Sequence, residues 1–281
     1  MTGRSIPIPT LHLFPVLDEL LIGLLNSLSP EDWNKPTLAR LWSVKDVAAH
    51  LLDTNMRTIS ADEGYFQPGP PPAINSYADL VNYLNELNAD WVKAMKRVSP
   101  LQLTDMLKRS GKQYIACLSS RDPFAASRYP VSWAGEEQSE NWFDIAREYT
   151  EKWHHQQQIR EAVGKTAPLM TRELFYPCMD TFMCGLPHAY RDVKAEINTI
   201  IKITISTKAG GDWYLVKKQA RWCLDKKPYS EVPVASVSIS PDTAWKLFTK
   251  AIGPDAAIQT AEIKGEFPLA KNVCSMIAVR A

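Results

Sequence analysis

The sequence predicts two parts, an all-helical N-terminal half and a smaller α/β half, with the division near residues 165–192. Before that division, apolar residues recur every three or four positions, as on amphipathic helices. After it, short alternating runs of β-branched residues are bounded by glycine turns, as in strands. The longest helical stretch, Asn141 to Gly164, closes the first half. On these grounds 1–168 reads as a helical bundle, 169–191 as a connecting helix and 192–281 as an α+β domain.

The elements follow in order. Leu11, Phe14, Leu17, Leu21, Leu24, Leu25 and Leu28 form one stripe of a helix over 9–28, which Ser29-Pro30 ends. His12, at its start, reads as a surface histidine. Pro30 to Trp33 is a turn into a short helical piece. A second helix begins at Ser43, with Asp46 at the spacing of a capping box and Val44, Val47 and Leu51 on its apolar face. The stretch 64–75 holds four prolines and two glycines and reads as a loop. A third helix covers about 76–98, with Ser76 and Asp79 at capping spacing and a stripe from Tyr77 to Val98. Residues 100–118 are ambiguous, a short helix and then Gln113 to Leu118, which can be extended. Residues 119–139 are irregular. The long helix follows, with Ser139 as expected N-cap and Gly164 as its stop. A further helix over about 170–190 is interrupted by Pro177 and Pro187.

Strands are expected at 196–206, 213–218, 220–224 and 234–240, with Gly210-Gly211-Asp212 as a turn. Ser240 and Pro241 mark the N-cap and first turn of a helix. Ala257–Lys264 reads as a strand and Pro268–Val279 as a final helix or strand.

Composition narrows the function classes. The 281 residues are 45% hydrophobic and 22% charged, with a net charge of +1. That suits a folded core and gives no general attraction to nucleic acid or to an anionic membrane. No apolar run approaches the roughly 18 residues of a membrane helix, and the first residues lack the features of a signal peptide. The five cysteines are odd in number and scattered, without a CxxC pair, so reduced thiols in a cytoplasmic protein are expected. There is no P-loop, no GxGxxG after a strand, no GxSxG and no HExxH.

The residues that carry chemistry lie on the helices. Glu151 and His155, four apart on the long helix, stack on one face. His50 lies beside the buried face of the second helix, about a hundred residues upstream. Helix bundles build metal sites from facing positions of this kind. Two histidines and a carboxylate leave a coordination position open, as catalytic sites do. The set suits Zn²⁺ and equally Fe²⁺, Ni²⁺ or Mn²⁺. Glu148 and His154 lie within a turn of the pair and are alternative ligands. The plainer reading has Glu151 paired with a basic neighbour and the histidines on the surface. Cys178, Cys184 and His188 form a weaker Cys/His candidate. Trp42, Trp142 and Trp153 stand near these polar residues as candidate pocket walls or core anchors.

The run Trp42-Ser43-Val44-Lys45-Asp46-Val47-Ala48-Ala49-His50-Leu51 resembles the W-x-V-x-D-V-x-x-H-L segment of the mycothiol-dependent maleylpyruvate isomerase N-terminal domain, within the DinB/YfiT-like superfamily of metal-binding four-helix bundles. Glu151 to Gly164 is similar to its E-x-x-x-H-x-x-D-x-R-x-A-x-G segment. Trp245-Lys246-Leu247, Ile263 to Glu266 and Leu269-Ala270 resemble the sterol-carrier-like domain often fused to it. The resemblance implies a DinB-like four-helix bundle followed by a sterol-carrier-like α+β domain. It implies that His50, Glu151 and His155 hold a divalent metal, usually zinc, with an open position for a low-molecular-weight thiol. That thiol would add to a small electrophilic substrate, in cis–trans isomerisation or S-transfer. The residues do not choose among mycothiol, bacillithiol and glutathione; the expected assembly is a monomer or a homodimer, with substrate between the two domains. Where the family has Asp, three residues beyond the ligand histidine, this chain has Gln158, a weaker partner that also stands among the substrate-binding candidates. Two other functions fit the same fold: a non-enzymatic module binding metal and a small ligand, and a metal-assisted hydrolase.

Overall fold

The computed structural model describes residues 4–65 and 73–279. Most of the proline-rich stretch expected to be a loop lies outside the described residues. The chain forms two compact units. One comprises Thr10–Asp122 and Glu151–Pro168; the other gathers the N-terminal segment up to Pro9, Pro123–Thr150 and Leu169–Val279.

The first unit is helical. It contains α1 (Phe14–Asn26), α2 (Val44–Asp62), α3 (Tyr77–Met95), α4 (Pro100–Ser119) and the later part of α5 (Asn141–Ala162). Local chemistry sets each start. Pro15 occupies the first turn of α1. Ser43 and Asp46 form the expected capping box of α2, each side chain taking the other's backbone N–H. Ser76 caps α3 by accepting from the Asp79 N–H at 3.1 Å. Ser99 caps α4, with Pro100 behind it.

α2 packs on α3 and α4, and α1 on α4. Their shared core holds Leu21, Leu24, Leu25, Val44, Val47, Leu51, Leu52, Leu103, Leu107 and Ile159. Each fully buried Leu, Ile or Val contributes about 1.5–3 kcal/mol over an exposed one. Residues 113–118, open to an extended reading, are helical and continue α4. The reason is packing: Leu103, Leu107, Gly111, Tyr114 and Leu118 make one unbroken buried stripe. That stripe overrides the strand preference of the local run.

The second unit carries the start of α5, then α6 (Arg172–Met183), α7 (Leu186–Ala189), β1 (Ile200–Ile205), β2 (Gly211–Lys217), β3 (Trp222–Asp225), β4 (Ala235–Ile239), α8 (Pro241–Phe248), α9 (Pro254–Thr260), β5 (Glu262–Gly265) and α10 (Phe267–Lys271). The sheet order is β3-β2-β1-β4-β5. β1 pairs with β4 in parallel, and the other three pairings are antiparallel. Burial alternates along β1 and β4, as it does when one face of a sheet packs on a core. Ser240 caps α8 from the Thr243 N–H at 3.0 Å, with Pro241 in the first turn as expected.

Three expectations change here. The helix over 170–190 is two helices, α6 and α7, separated at Gly185. Ala257–Lys264 is not one strand: α9 runs to Thr260 and only Glu262–Gly265 pairs in the sheet. Pro254 with Asp255 behind it starts a helix, which the alternating Ala and Ile residues conceal. Ser139 does not cap α5, because its hydroxyl accepts from the Val131 N–H at 2.9 Å and bonds the Glu136 carboxylate.

Candidate metal centre

The centre lies within the helical unit, built on α2 and the later part of α5. Its α2 side is fixed from the sequence upward. Pro36 and Ser43 form a β-bridge just ahead of the helix. The Trp42 carbonyl accepts from the Thr37 N–H at 3.1 Å and from its hydroxyl at 2.8 Å. The capping box then sets where α2 begins, and so the face on which His50 falls. Val44, Val47 and Leu51 are fully buried around it. The Trp91 indole N–H donates to the Ala49 carbonyl at 2.9 Å, tying α3 to α2 one residue before His50.

On α5, Glu151, His155 and Gln158 fall at positions i, i+4 and i+7 and share one stripe. His155 Nε2 lies 3.6 Å from a Glu151 carboxylate oxygen. His155 Nδ1 lies 2.9 Å from Gln158 Oε1. The His50 ring meets the His155 ring edge-on, with centroids 4.6 Å apart. Trp42 covers another face of His50 at 4.9 Å. The structure thus brings His50, Glu151, His155, Gln158 and Trp42 together.

His154 also belongs here. Its ring lies 3.9 Å from that of His155, and it is buried. Ligand atoms of Glu151, His154 and His155 all lie within 4.8 Å of one another, so that these three are the group among the described residues that could hold a metal ion. His50 is not one of the three and reaches the cluster through His155. Adjacent helix residues point about 100° apart, so spacing alone demotes His154 to a neighbour, and only the packed rotamers bring it in.

Electrostatics favour a ligand state at His50. Burial holds its imidazole well below the usual histidine range, and His155 and Arg57 push the same way. It is therefore neutral at physiological pH, as a metal ligand must be. Its Nδ1 is buried without a hydrogen-bond partner, which is costly for an ordinary core histidine. The nitrogen and carboxylate donors of Glu151, His154 and His155 are of the kind that a divalent cation takes.

The other candidates do not belong to the group of ligand atoms that could hold a metal ion. Trp153 is fully buried, as a packing residue of α5. Trp142 belongs to the second unit, where it stacks on Phe143 and donates its indole N–H to Glu140 at 2.8 Å. Glu148 is also in that unit and is bridged by Arg147. Cys178 is buried, and the Cys184 thiol donates to the Asp180 carbonyl. Burial pushes that thiol up to about 12, the wrong direction for a thiolate ligand. His188 packs against Gly135, where a Cβ would sit 2.3 Å from its Nδ1.

One buried residue was missed. Lys152 is only 4% exposed, and its ammonium bonds Asn55 and the Leu51 carbonyl. A lysine in mid-helix reads as surface by default, and nothing local marks it otherwise.

The sequence model described as Mycothiol maleylpyruvate isomerase N-terminal domain matches residues 15–160, more than half of the chain. The chain is also similar to the crystal structure of a histidine-to-alanine mutant of the mycothiol-dependent maleylpyruvate isomerase. Identity there is 10% and the TM-score 0.53, over 95% of this chain and 98% of that one. A crystal structure of the isomerase without that substitution gives 11% identity and a TM-score of 0.48 over the same shares. At such identity the first likeness speaks to fold, and it extends the helical-then-α+β organisation over nearly the whole chain. No curated protein matches the sequence. Among the described residues, no helix is long and apolar enough to cross a membrane.

Proposed function

This chain belongs to the mycothiol maleylpyruvate isomerase N-terminal domain family, and from that premise we propose that it is a metal-dependent enzyme. It would use a low-molecular-weight thiol to isomerise, or transfer sulfur to, a small electrophilic substrate. The observation that carries this reading is the Glu151, His154 and His155 cluster, with His50 packed against it and His50 Nδ1 buried without a partner.

Glu151 and His155, with His50 or His154, would supply the donors, and zinc suits them. A divalent cation held there would lower the pKa of a neighbouring thiol and so supply a nucleophile at neutral pH. The chain's own groups do the rest. Burial keeps His50 uncharged. Trp42 shields one face of the imidazole from water. Glu151 would add a negative charge to hold the cation, and Gln158 orients the His155 ring.

Metal analysis of untagged protein tests the core of this. One equivalent of zinc or another divalent ion is expected, lost by at least tenfold in affinity on His50→Ala or His155→Ala. Turnover of small electrophiles should require an added thiol, tried as mycothiol, bacillithiol and glutathione. Protein without stoichiometric metal would sink the proposal. Turnover indifferent to thiol would replace it with metal-assisted hydrolysis.

A further inference from the structure

Gln158 is nine-tenths buried and stands one turn beyond His155 on α5, with its Oε1 2.9 Å from His155 Nδ1. An amide oxygen only accepts hydrogen bonds. The contact is a hydrogen bond only when Nδ1 carries the proton. In the neutral ring the remaining nitrogen, Nε2, then holds its lone pair, and Nε2 is the atom that faces Glu151 at 3.6 Å. A ring free to choose would divide between two tautomers, one of which presents N–H to the cluster and cannot ligate.

We infer that Gln158 is a positioning residue: it locks His155 in the Nδ1–H tautomer and so aims Nε2 at the Glu151–His154 cluster. The same geometry separates Gln158 from the aspartate that the resembling segment carries at this place. A carboxylate there would add a negative charge and pull on the Nδ1 proton, making Nε2 more basic. The amide fixes the same tautomer while adding no charge. A cation bound by this chain therefore keeps more of its positive charge for an anionic sulfur ligand. This last step rests on the metal reading above, whereas the tautomer lock does not.

The experiment starts from the full, metal-free chain labelled with ¹⁵N-histidine, and reads the His155 tautomer from long-range ¹H–¹⁵N correlations. The His155 signals are assigned by their loss in His155→Phe. Wild type should show Nδ1 protonated and Nε2 bare. Gln158→Leu, close in volume and without an acceptor, should lose that preference. Gln158→Glu, which still accepts, should restore it. Zinc affinity, measured by competition with a chromophoric chelator, should weaken about 10–100-fold in the Leu variant and recover in the Glu variant. A wild-type His155 protonated on Nε2, or a tautomer unchanged by Gln158→Leu, overturns the inference. The expected tautomer in a protein that takes up no zinc upholds the lock and removes the metal reading instead.

Discussion

Two buried polar groups lie on neighbouring faces of α5, and they are completed differently. Lys152 is surrounded by partners from the bundle itself. Its ammonium bonds the Asn55 side chain and the Leu51 carbonyl, and it lies 4.5 Å from the centre of the Tyr114 ring. Asn55 passes the chain on, donating to the Ser110 hydroxyl at 2.9 Å. Asp18 on α1 adds an opposite charge that acts on Lys152. The histidine group one residue along is built otherwise. His50 Nδ1 has no partner, and the His155–Glu151 approach of 3.6 Å is too long for a hydrogen bond. A buried cation whose hydrogen bonds are met by its own fold is a structural tie across helices. A buried cluster of imidazoles and a carboxylate that leaves a nitrogen unmatched is suited to an added cation. Opposite stability responses should distinguish the two.

The largest effect is expected on the Lys152 side. Lys152→Met keeps much of the volume but strips a charged donor from the Asn55 carbonyl and from Leu51, both in a dry core. Breaking one half of a buried charged network costs about 3–5 kcal/mol. Urea denaturation of the metal-free protein should therefore show a loss of about 3 kcal/mol. A loss under about 1 kcal/mol would mean that Lys152 is not a tie, and the comparison would fail on that side.

At the histidine cluster the sign should reverse. His50→Leu replaces an imidazole that holds an unmatched buried nitrogen with an apolar group of similar size. In metal-free protein the stability should be unchanged or raised by up to about 1 kcal/mol. What the variant should lose is stabilisation by ligand. Zinc at about 100 times its Kd should raise wild-type stability by about 2.7 kcal/mol, and should raise the variant far less. A metal-free variant destabilised as strongly as Lys152→Met would make His50 an ordinary core histidine.

How far each region can be read from sequence follows from where its information lies. The α2 start was legible because a capping box is a contact between residues three apart, Ser43 and Asp46. The α5 stop was legible because Gly164 adopts a left-handed conformation, with φ of +69°. The Glu151–His155 pairing follows from helical repeat alone. His154 did not, since its place in the cluster depends on rotamers set by packing. Lys152 was hidden for the same kind of reason: its partner Asn55, the Ser110 that Asn55 bonds in turn, and the charge of Asp18 lie on three other helices. The end of α4 stays ambiguous in the sequence, and α9 reads as strand, where local propensity and tertiary packing disagree. The contact of His50 with His155 is a tertiary fact, which facing helices of a bundle make available and the resemblance implied.

The smallest effect tests whether the Lys152 network is as balanced as its contacts suggest. Burial holds the Asp18 carboxyl above the usual carboxylate range, and Lys152 pulls only part of the way back. The carboxylate is pressed against α4, where a Cβ on Gly111 would come within 2.2 Å of its Oδ2. A carboxyl whose folded pKa exceeds the unfolded value of 3.8 binds its proton more tightly when folded. Its stabilising share is complete below 3.8 and is lost as pH rises through the raised value, so at neutral pH the ionised group is a cost. Asp18→Asn removes that cost while keeping the shape. The variant should be more stable than wild type at neutral pH, by less than either change above, and the difference should shrink as pH falls toward 3.8. A variant less stable at neutral pH would show that attraction to Lys152 outweighs burial, and would make Asp18 a full member of the tie.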